Sequence, residues 1–387
     1  MLKRIELRSF KAFDTLDVQL KPFTVLVGTN GTGKTTLLQA IEFLASLVTG
    51  TIDTELDART WLYGDLVHKL APRNAFGFTA HLEFDGRPLT WAIDLHKRRG
   101  SYIAAESVRS GRRLVLRRRG REMARLDETT SEWETVSQSL QSSWISTVDD
   151  DDKARYPDLV KISRWARAVR PYVELSPAML RRSSRRTADG IGQFGENLAG
   201  FLRYLADNRA SSYRDYVNTV KRYYRHLDRI VIRSPGAGWN RLEMVERWGK
   251  QRLSLSSDQV SDGFLRLCAI AAMSYVNPPP TMLMMDEVEN GVHPRLLGSL
   301  MGLLQELAEK DTQVLVTTHS PIALNSVNDA DSVLIVRRTQ SGRSRLVQLS
   351  GTDGYKVLNS VFRPGEMWVN LGEETLIKRP SPRSLRQ

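Results

Sequence analysis

A single cysteine, Cys268, is all the thiol this chain carries, so it closes no internal disulfide. The expected role for Cys268 is a small core residue, and a reducing cytoplasm fits such scarcity. Long apolar runs are missing too. No stretch approaches the roughly 20 residues that cross a bilayer, and the opening MLKRIELRSFKAF lacks the apolar block of a signal peptide, so no membrane partner is expected. There is no internal repeat and no heptad array long enough for a coiled coil. Acid is in deficit, with 44 Asp and Glu against 56 Lys and Arg, for a net charge of +12. That balance argues for polyanionic partners and says nothing about fold. What the chain does have is 41% apolar residues over 387 positions, enough to pack one large or two ordinary domains.

The most informative stretch is Val25–Thr36, VLVGTNGTGKTT, in which Gly28, Gly33, Lys34 and Thr35 fit GxxxxGK[ST]. The apolar run Phe23–Val27 before it predicts a buried strand. The run Thr35–Leu47 after it predicts a helix, with Leu37, Leu38, Ile41, Leu44 and Leu47 recurring every three or four residues. Glycines let backbone N–H groups turn inward on phosphate oxygens, and the helix N-terminus adds its positive dipole end. Lys34 is placed to reach the outer phosphates and the Thr35 hydroxyl to ligate Mg²⁺.

Around this loop the chain alternates between strand and helix patterns. Met1–Phe10 and Leu16–Leu20 read as strands. Ala75–Phe84 with Leu89–Leu95, and Tyr102–Val108 with Arg112–Leu116, read as two hairpins turning at Asp85-Gly86 and Ser110-Gly111. Arg117–Asp152 is polar and ends in the acidic run Asp149–Asp152, expected as a solvated loop. Pro157–Val169, Glu196–Ala206 and Ser212–His226 have helical spacing, Tyr172–Leu175 is a short strand candidate, and Ile230–Ile232 and Leu242–Trp248 return to strand character. Asp331–Val336 and Arg345–Leu349 read as closing strands, and the basic tail Lys378–Gln387 as disordered.

Two later segments complete a chemistry. Thr281–Asp286, TMLMMD, is an apolar strand ending in acid and followed by Glu287; Asp286 is a candidate for holding Mg²⁺ and Glu287 for deprotonating an attacking water. Gln313–Thr318, QVLVTT, is another apolar strand ending at His319, and carboxyl ends of parallel strands are where α/β sheets bind ligands. Ser261-Asp262-Gly263 precedes a helix with Phe264, Leu267, Cys268, Ala271 and Tyr275 on one face. It is equally a second anion site and an ordinary capped helix.

Taken together, GTNGTGKTT, VSDGFLRL, MLMMDEVENGVHP and VLVTTHSP, in that order, resemble the ABC-type P-loop ATPases of the structural-maintenance, RecF and OLD group. VSDGFLRL resembles that group's signature helix, and the wording of DEVENGVHP and SDGFLRL is nearest the OLD-like branch, many of whose members serve in prokaryotic anti-phage defence. The resemblance implies an α/β ATPase head with an appended antiparallel sheet and an inserted, mostly helical lobe. The expected boundaries are 1–125 and 229–350 for the two halves of the core, 126–228 for the lobe and 351–387 for a tail. It implies ATP and Mg²⁺ as cofactors. Gly28, Asn30, Gly31, Gly33, Lys34, Thr35 and Thr36 then hold phosphates, with Thr35 and Asp286 on the metal, Glu287 as general base and His319 as switch. Ser261 and Gly263 cover the same ATP from a second subunit, and Asn290 and His293 cross a homodimer interface, with higher assembly open. The family's glutamine near the core–lobe junction has no counterpart around Arg170–Arg181, and Gln193 is unassigned. The OLD enzymes' C-terminal nuclease domain has no expected place in the 68 residues after His319, so an effector is expected on another chain.

Three arginine clusters remain. Arg98, Arg99, Arg112, Arg113, Arg117, Arg118, Arg119 and Arg121 flank the second hairpin. Arg181, Arg182, Arg185 and Arg186 form another, and Lys221, Arg222, Arg225 and Arg229 with Tyr223 and Tyr224 a third. Nucleic acid, an acidic protein and a merely solvated face all remain open for them.

Overall fold

The computed structural model describes residues 1–71, 74–98, 101–172, 175–185 and 189–377, and it divides the chain into two compact units. The first holds Met1–Val169 and Asp329–Val361 with the residues from Asn370 on; the second holds Arg170–Asn328 and Phe362–Val369. No helix among the described residues is long and apolar enough to cross a membrane.

The first unit is built on an eight-stranded antiparallel sheet. Its order is Phe13–Gln19, Leu2–Phe10, Ala75–Phe84, Arg87–Arg98, Ser101–Ser110, Arg113–Arg119, Glu122–Asp127 and Glu132–Ser137. Alternation sets which face is covered: Phe76, Phe78, Ala80 and Leu82 of one strand are all buried. Against this face lies the helix Lys34–Thr49. Its Phe43 ring sits 6.0 Å from Phe76 and Phe78 and 6.3 Å from Phe10. Each such side chain contributes roughly 1.5–3 kcal/mol on burial. In the same unit the strand Phe23–Val27, buried at all five positions, pairs in parallel with Val333–Arg338, which pairs antiparallel with Ser344–Gln348. A strand covered on both faces explains the unbroken apolar run.

The polar stretch after Arg117 folds further than its composition suggests. Glu122–Asp127 and Glu132–Ser137 form a third hairpin, with Met123 buried on one face of its strand and Ala124 and Leu126 on the other. The following segment is tied down by a buried polar pair of strands. Glu106, opposite Arg118 in register, accepts hydrogen bonds from Trp91 Nε1 (3.0 Å), the Trp144 N–H (2.9 Å) and the Ser143 hydroxyl. Arg118 donates to the carbonyls of Ser142 (2.9 Å), Leu140 (2.5 Å) and Gly120 (3.1 Å). Burial pushes the Glu106 carboxyl up and the Arg118 guanidinium down, the direction low dielectric gives to each. The acidic run forms a single helical turn, Asp150–Lys153, with Asp150 held by Arg164 at 2.6 Å.

In the second unit the helix Asp262–Met273 is buried at every position from Gly263 on, as a helix apolar all round must be. The helices Leu198–Asn208, Ala210–Tyr223 and Pro294–Ala308 pack against it. A three-stranded antiparallel sheet, Leu227–Gly236, Trp239–Trp248 and Gln251–Ser256, precedes it. The strands Met282–Met285 and Gln313–Thr318 pair in parallel, every residue buried. The strand expected at Tyr172–Leu175 lies earlier, at Val169–Tyr172, and residues 173–174 are outside the described ones, as is the tail from Lys378.

Five tyrosines, Tyr156, Tyr172, Tyr213, Tyr223 and Tyr224, are each pushed up to about 12, mainly by burial. Tyr156, Tyr223 and Tyr224 also donate to the carboxylates of Glu134 (2.5 Å), Glu306 (2.7 Å) and Glu246 (2.7 Å). Between pH 10 and 12 the unfolded chain releases these protons and the folded chain keeps them. Stability therefore falls as pH rises through that window. Urea midpoints should drop steeply above pH 10, and tyrosinate absorbance of the folded protein should lag that of the unfolded protein by about two pH units for this group.

Candidate active site

The phosphate loop lies wholly in the first unit. Gly28 leaves the buried strand where a Cβ would stand 2.2 Å from the Val336 carbonyl oxygen, so no side chain fits there. Gly31 has φ +75 and Gly33, the helix N-cap, φ +108, a conformation that favours glycine. The helix Lys34–Thr49 begins with no side-chain cap and no acidic residue in its first turn, so no side chain there offsets the positive end of its dipole. Lys34, buried, folds back to donate to the carbonyls of Gly28 (2.8 Å) and Thr29 (3.1 Å). Thr32 closes the turn on the Thr29 carbonyl (2.8 Å), and Ser344 donates to the Thr32 carbonyl at 2.5 Å. Asn30 and Gly31 are exposed at the tip, Thr35 is half-buried and Thr36 buried.

The acidic strand end lies wholly in the second unit. Thr317, fully buried on the neighbouring strand, donates to Asp286 Oδ1 and accepts the Glu287 N–H at 2.7 Å. One hydroxyl thus fixes both acids. Glu287 itself has φ +47, an uncommon backbone state for a residue with a Cβ. Its carboxylate accepts from Asn290 Nδ2 at 2.6 Å and stands 3.6 Å from His319 Nε2. Glu289 accepts from the Thr318 hydroxyl (2.8 Å) and the His319 N–H (2.5 Å), holding the backbone that carries the histidine. Thr317 and Glu289 are functional candidates that motif reading passes over; only the facing of two strand ends reveals them. Thr317→Val keeps the volume but leaves the Glu287 N–H unpaired, at a cost of about 1–3 kcal/mol. Urea unfolding should report that loss.

Ser261 caps the helix at Asp262–Met273, its hydroxyl accepting the Phe264 N–H at 3.4 Å. Gly263 has little spare room, since a Cβ there would lie 3.0 Å from Leu296. Arg181 braces this tip, donating to Asp262 and to the Val260 carbonyl (2.9 Å). Arg266 donates to the Asn290 carbonyl, joining the signature helix to the loop after Glu287. His293 caps the next helix through Nδ1, which accepts the Arg295 N–H at 3.2 Å. Oxygen donors such as the Thr35 hydroxyl and Asp286 carboxylate suit Mg²⁺, which rarely takes an all-protein cage. No group of three His, Cys, Asp or Glu side chains gathers as a metal site among the described residues.

Not every arginine of the clusters faces solvent. Arg118 is buried and Arg181 holds the signature tip, while Arg222, though exposed, is paired with Glu306 at 2.9 Å. Tyr223 and Tyr224 point their hydroxyls at Glu306 and Glu246, and Tyr224 packs edge-on against Phe264 at 4.7 Å. Arg99 and Arg186 lie outside the described residues.

Comparison with known proteins supplies the lineage. Residues 23–325 match the family model described as "AAA domain, putative AbiEii toxin, Type IV TA system". The chain is 23% identical over 369 residues to an OLD nuclease of Thermus scotoductus, covering 89% of this chain and 63% of that protein. It is 42% identical over 55 residues to the DNA replication and repair protein RecF of Paenarthrobacter aurescens, 14% of each chain. The chain therefore spans less than two thirds of the length of these curated relatives. In fold it is similar to the Smc head bound to the C-winged helix domain of ScpA, with a TM-score of 0.56 at 14% identity, covering 89% of this chain and 96% of that one. It is also similar to the Smc head domain with an extended coiled coil bound to the C-terminal domain of ScpA derived from Pyrococcus furiosus. There the TM-score is 0.53 at 13% identity, over 93% and 99% of the two chains. With its phosphate loop, acid-terminated strand and capped signature helix, and with the family match spanning more than half its length, the chain belongs to this AAA family, among the ABC-type P-loop ATPases of the structural-maintenance, RecF and OLD group.

Proposed function

We propose that the chain binds ATP with Mg²⁺, hydrolyses it to ADP and phosphate, and does so as a homodimer sharing two ATPs head to tail. The observation that carries this reading is the phosphate loop: a helix start with neither cap nor acid, behind a glycine turn that admits no side chain at Gly28. Asn30, Gly31, Gly33, Lys34 and Thr36 hold the phosphates, and Thr35 and Asp286 are the protein donors for the metal. Held by the Thr35 hydroxyl and the Asp286 carboxylate, Mg²⁺ would supply positive charge against the charge that develops on the phosphates. Glu287 orients the attacking water and takes its proton. His319, on a backbone fixed by Glu289, contacts the outer phosphate and responds to its loss. Ser261 and Gly263 of one subunit cover the ATP cradled by the other, with Asn290 and His293 crossing between them, an isologous arrangement.

At the level of the cell, the engine belongs in a cytoplasmic anti-phage defence system, where it controls a separate effector, binds nucleic acid, or does both. Support comes from the family description, which names a toxin and a type IV TA system, and from relatives named a nuclease and a DNA replication and repair protein. A repair or recombination role is the second reading, favoured by the local 42% identity to RecF.

Light scattering tests the shared-site geometry. With Mg²⁺ and a non-hydrolysable ATP analogue the mass should double. Ser261→Arg should block the doubling while fluorescent-ATP binding persists. Doubling that survives Ser261→Arg would contradict the shared site.

A further inference from the structure

Between Ser101 and Arg125 the sequence places eight arginines against two carboxylates, Glu106 and Glu122. Sheet register sorts them. Glu106 and Arg118, opposite one another, turn into the core, while Arg117 opposite Ser107 and Arg119 opposite Ala105 turn outward. Arg109 is exposed on the same side. On the next two strands Ala124 faces Arg117, and Thr135 faces Ala124. Arginines standing over small residues leave a trough of about 770 Å³, which Asp94 and Glu122 also line. Trp133, two residues before Thr135 and so on the same face, stands at its edge 40% exposed, with the Arg117 guanidinium 5.3 Å from its ring centre.

The other half of this sheet face is neutralised internally. Arg4 pairs with Asp17 (2.6 Å) and Glu6 (3.1 Å), Arg8 with Asp94, and His81 with Glu6 (2.8 Å). Among the described residues no carboxylate pairs with Arg109, Arg117 or Arg119. Of the carboxylates lining the trough, Glu106 is set against Arg118 and Asp94 against Arg8, which leaves Arg109, Arg117 and Arg119 standing over it with Glu122, opposite Arg119 in register.

We infer that this trough, from Arg109 and Arg119 across Arg117 to Trp133, binds single-stranded nucleic acid. Planar guanidinium groups match phosphate oxygens, and an exposed indole offers a stacking platform that accepts any base. An acidic peptide answers the arginines and not the ring. A duplex presents phosphates but keeps its base faces stacked away from Trp133. The inference rests on the nucleic-acid part of the proposed function and is independent of ATP turnover.

Fluorescence anisotropy with a labelled oligothymidine of about 20 nucleotides, long enough for one such groove, tests it in the full chain. Arg117→Glu with Arg119→Glu should weaken binding more than tenfold. Lys356→Glu, an exposed reversal on the helix Asp353–Leu358, should not. Arg117→Ala with Arg119→Ala should reduce the slope of log K against log salt by about 1.4, two phosphate contacts' worth for a single strand. Trp133→Ala should weaken binding about tenfold with the slope unchanged. MgATP affinity should be the same in every variant. Wild-type affinity in the Arg117 and Arg119 variants would overturn the surface and leave the proposed function standing. Displacement by polyglutamate as effective as by unlabelled oligothymidine, or tighter binding of a duplex, would overturn the ligand. A wild-type chain that binds no nucleic acid at low salt would overturn both.

Discussion

Glu287→Gln is expected to cut ATP turnover at least about 100-fold, the lower range for loss of a general base, while leaving MgATP affinity within a few-fold of wild type. The amide keeps the length of the side chain and can still accept from Asn290, now 2.6 Å from the carboxylate. It also inherits the same φ of +47, so the backbone cost of that position is unchanged. What it loses is the capacity to take a proton. Steady-state phosphate release and fluorescent-ATP binding separate these two properties. The same variant separates an engine from a scaffold that merely cages a partner in its ATP-bound form. If turnover drives function, the variant loses its biological output and accumulates ATP-bound dimers. If the dimer acts as a cage, output survives the loss of turnover.

Lys34→Ala is expected to weaken MgATP binding by two orders of magnitude or more, the loss of a charge-assisted contact in a largely desolvated place. Lys34 is only 5% exposed, and its ammonium rests on the Gly28 and Thr29 carbonyls at 2.8 and 3.1 Å. Those carbonyls belong to the loop itself, so the lysine holds the turn in shape, and in the proposed role it also meets the phosphates. Alanine at the first turn keeps the helix, since its propensity is higher than that of lysine. The apo protein should remain folded, with far-ultraviolet circular dichroism unchanged, while the thermal shift that ATP gives the wild type disappears. A normal ATP shift in Lys34→Ala would place the phosphates elsewhere.

Much of this was legible in the sequence where chemistry and local structure coincide. Gly28, Gly33 and Lys34 carry their own geometry: a turn with no room for side chains, a left-handed cap and a cation. The runs Phe23–Val27 and Gln313–Thr318 announce themselves because strands covered on both faces leave no polar positions. Legibility ended where pairing decides. Glu122–Asp127 buries residues on both faces, so its apolar positions do not alternate, and Glu132–Ser137 buries none of its residues. Gln251–Ser256 exposes most of its side chains at a sheet edge, so it has no apolar pattern to read. Thr317 and Glu289 matter because one faces Asp286 across a strand pair and the other reaches the backbone of His319; spacing along the chain encodes neither relation. Arg118 and Arg181, which look like surface charge in the sequence, are spent on backbone carbonyls and Asp262.

Titration calorimetry of ATP into the Glu287→Gln chain, with and without Mg²⁺, addresses the central claim most directly. The account predicts a saturable heat near one ATP per chain that requires the metal and vanishes when Lys34→Ala is added. Absence of any magnesium-dependent heat, or an equal heat in the double variant, would contradict it.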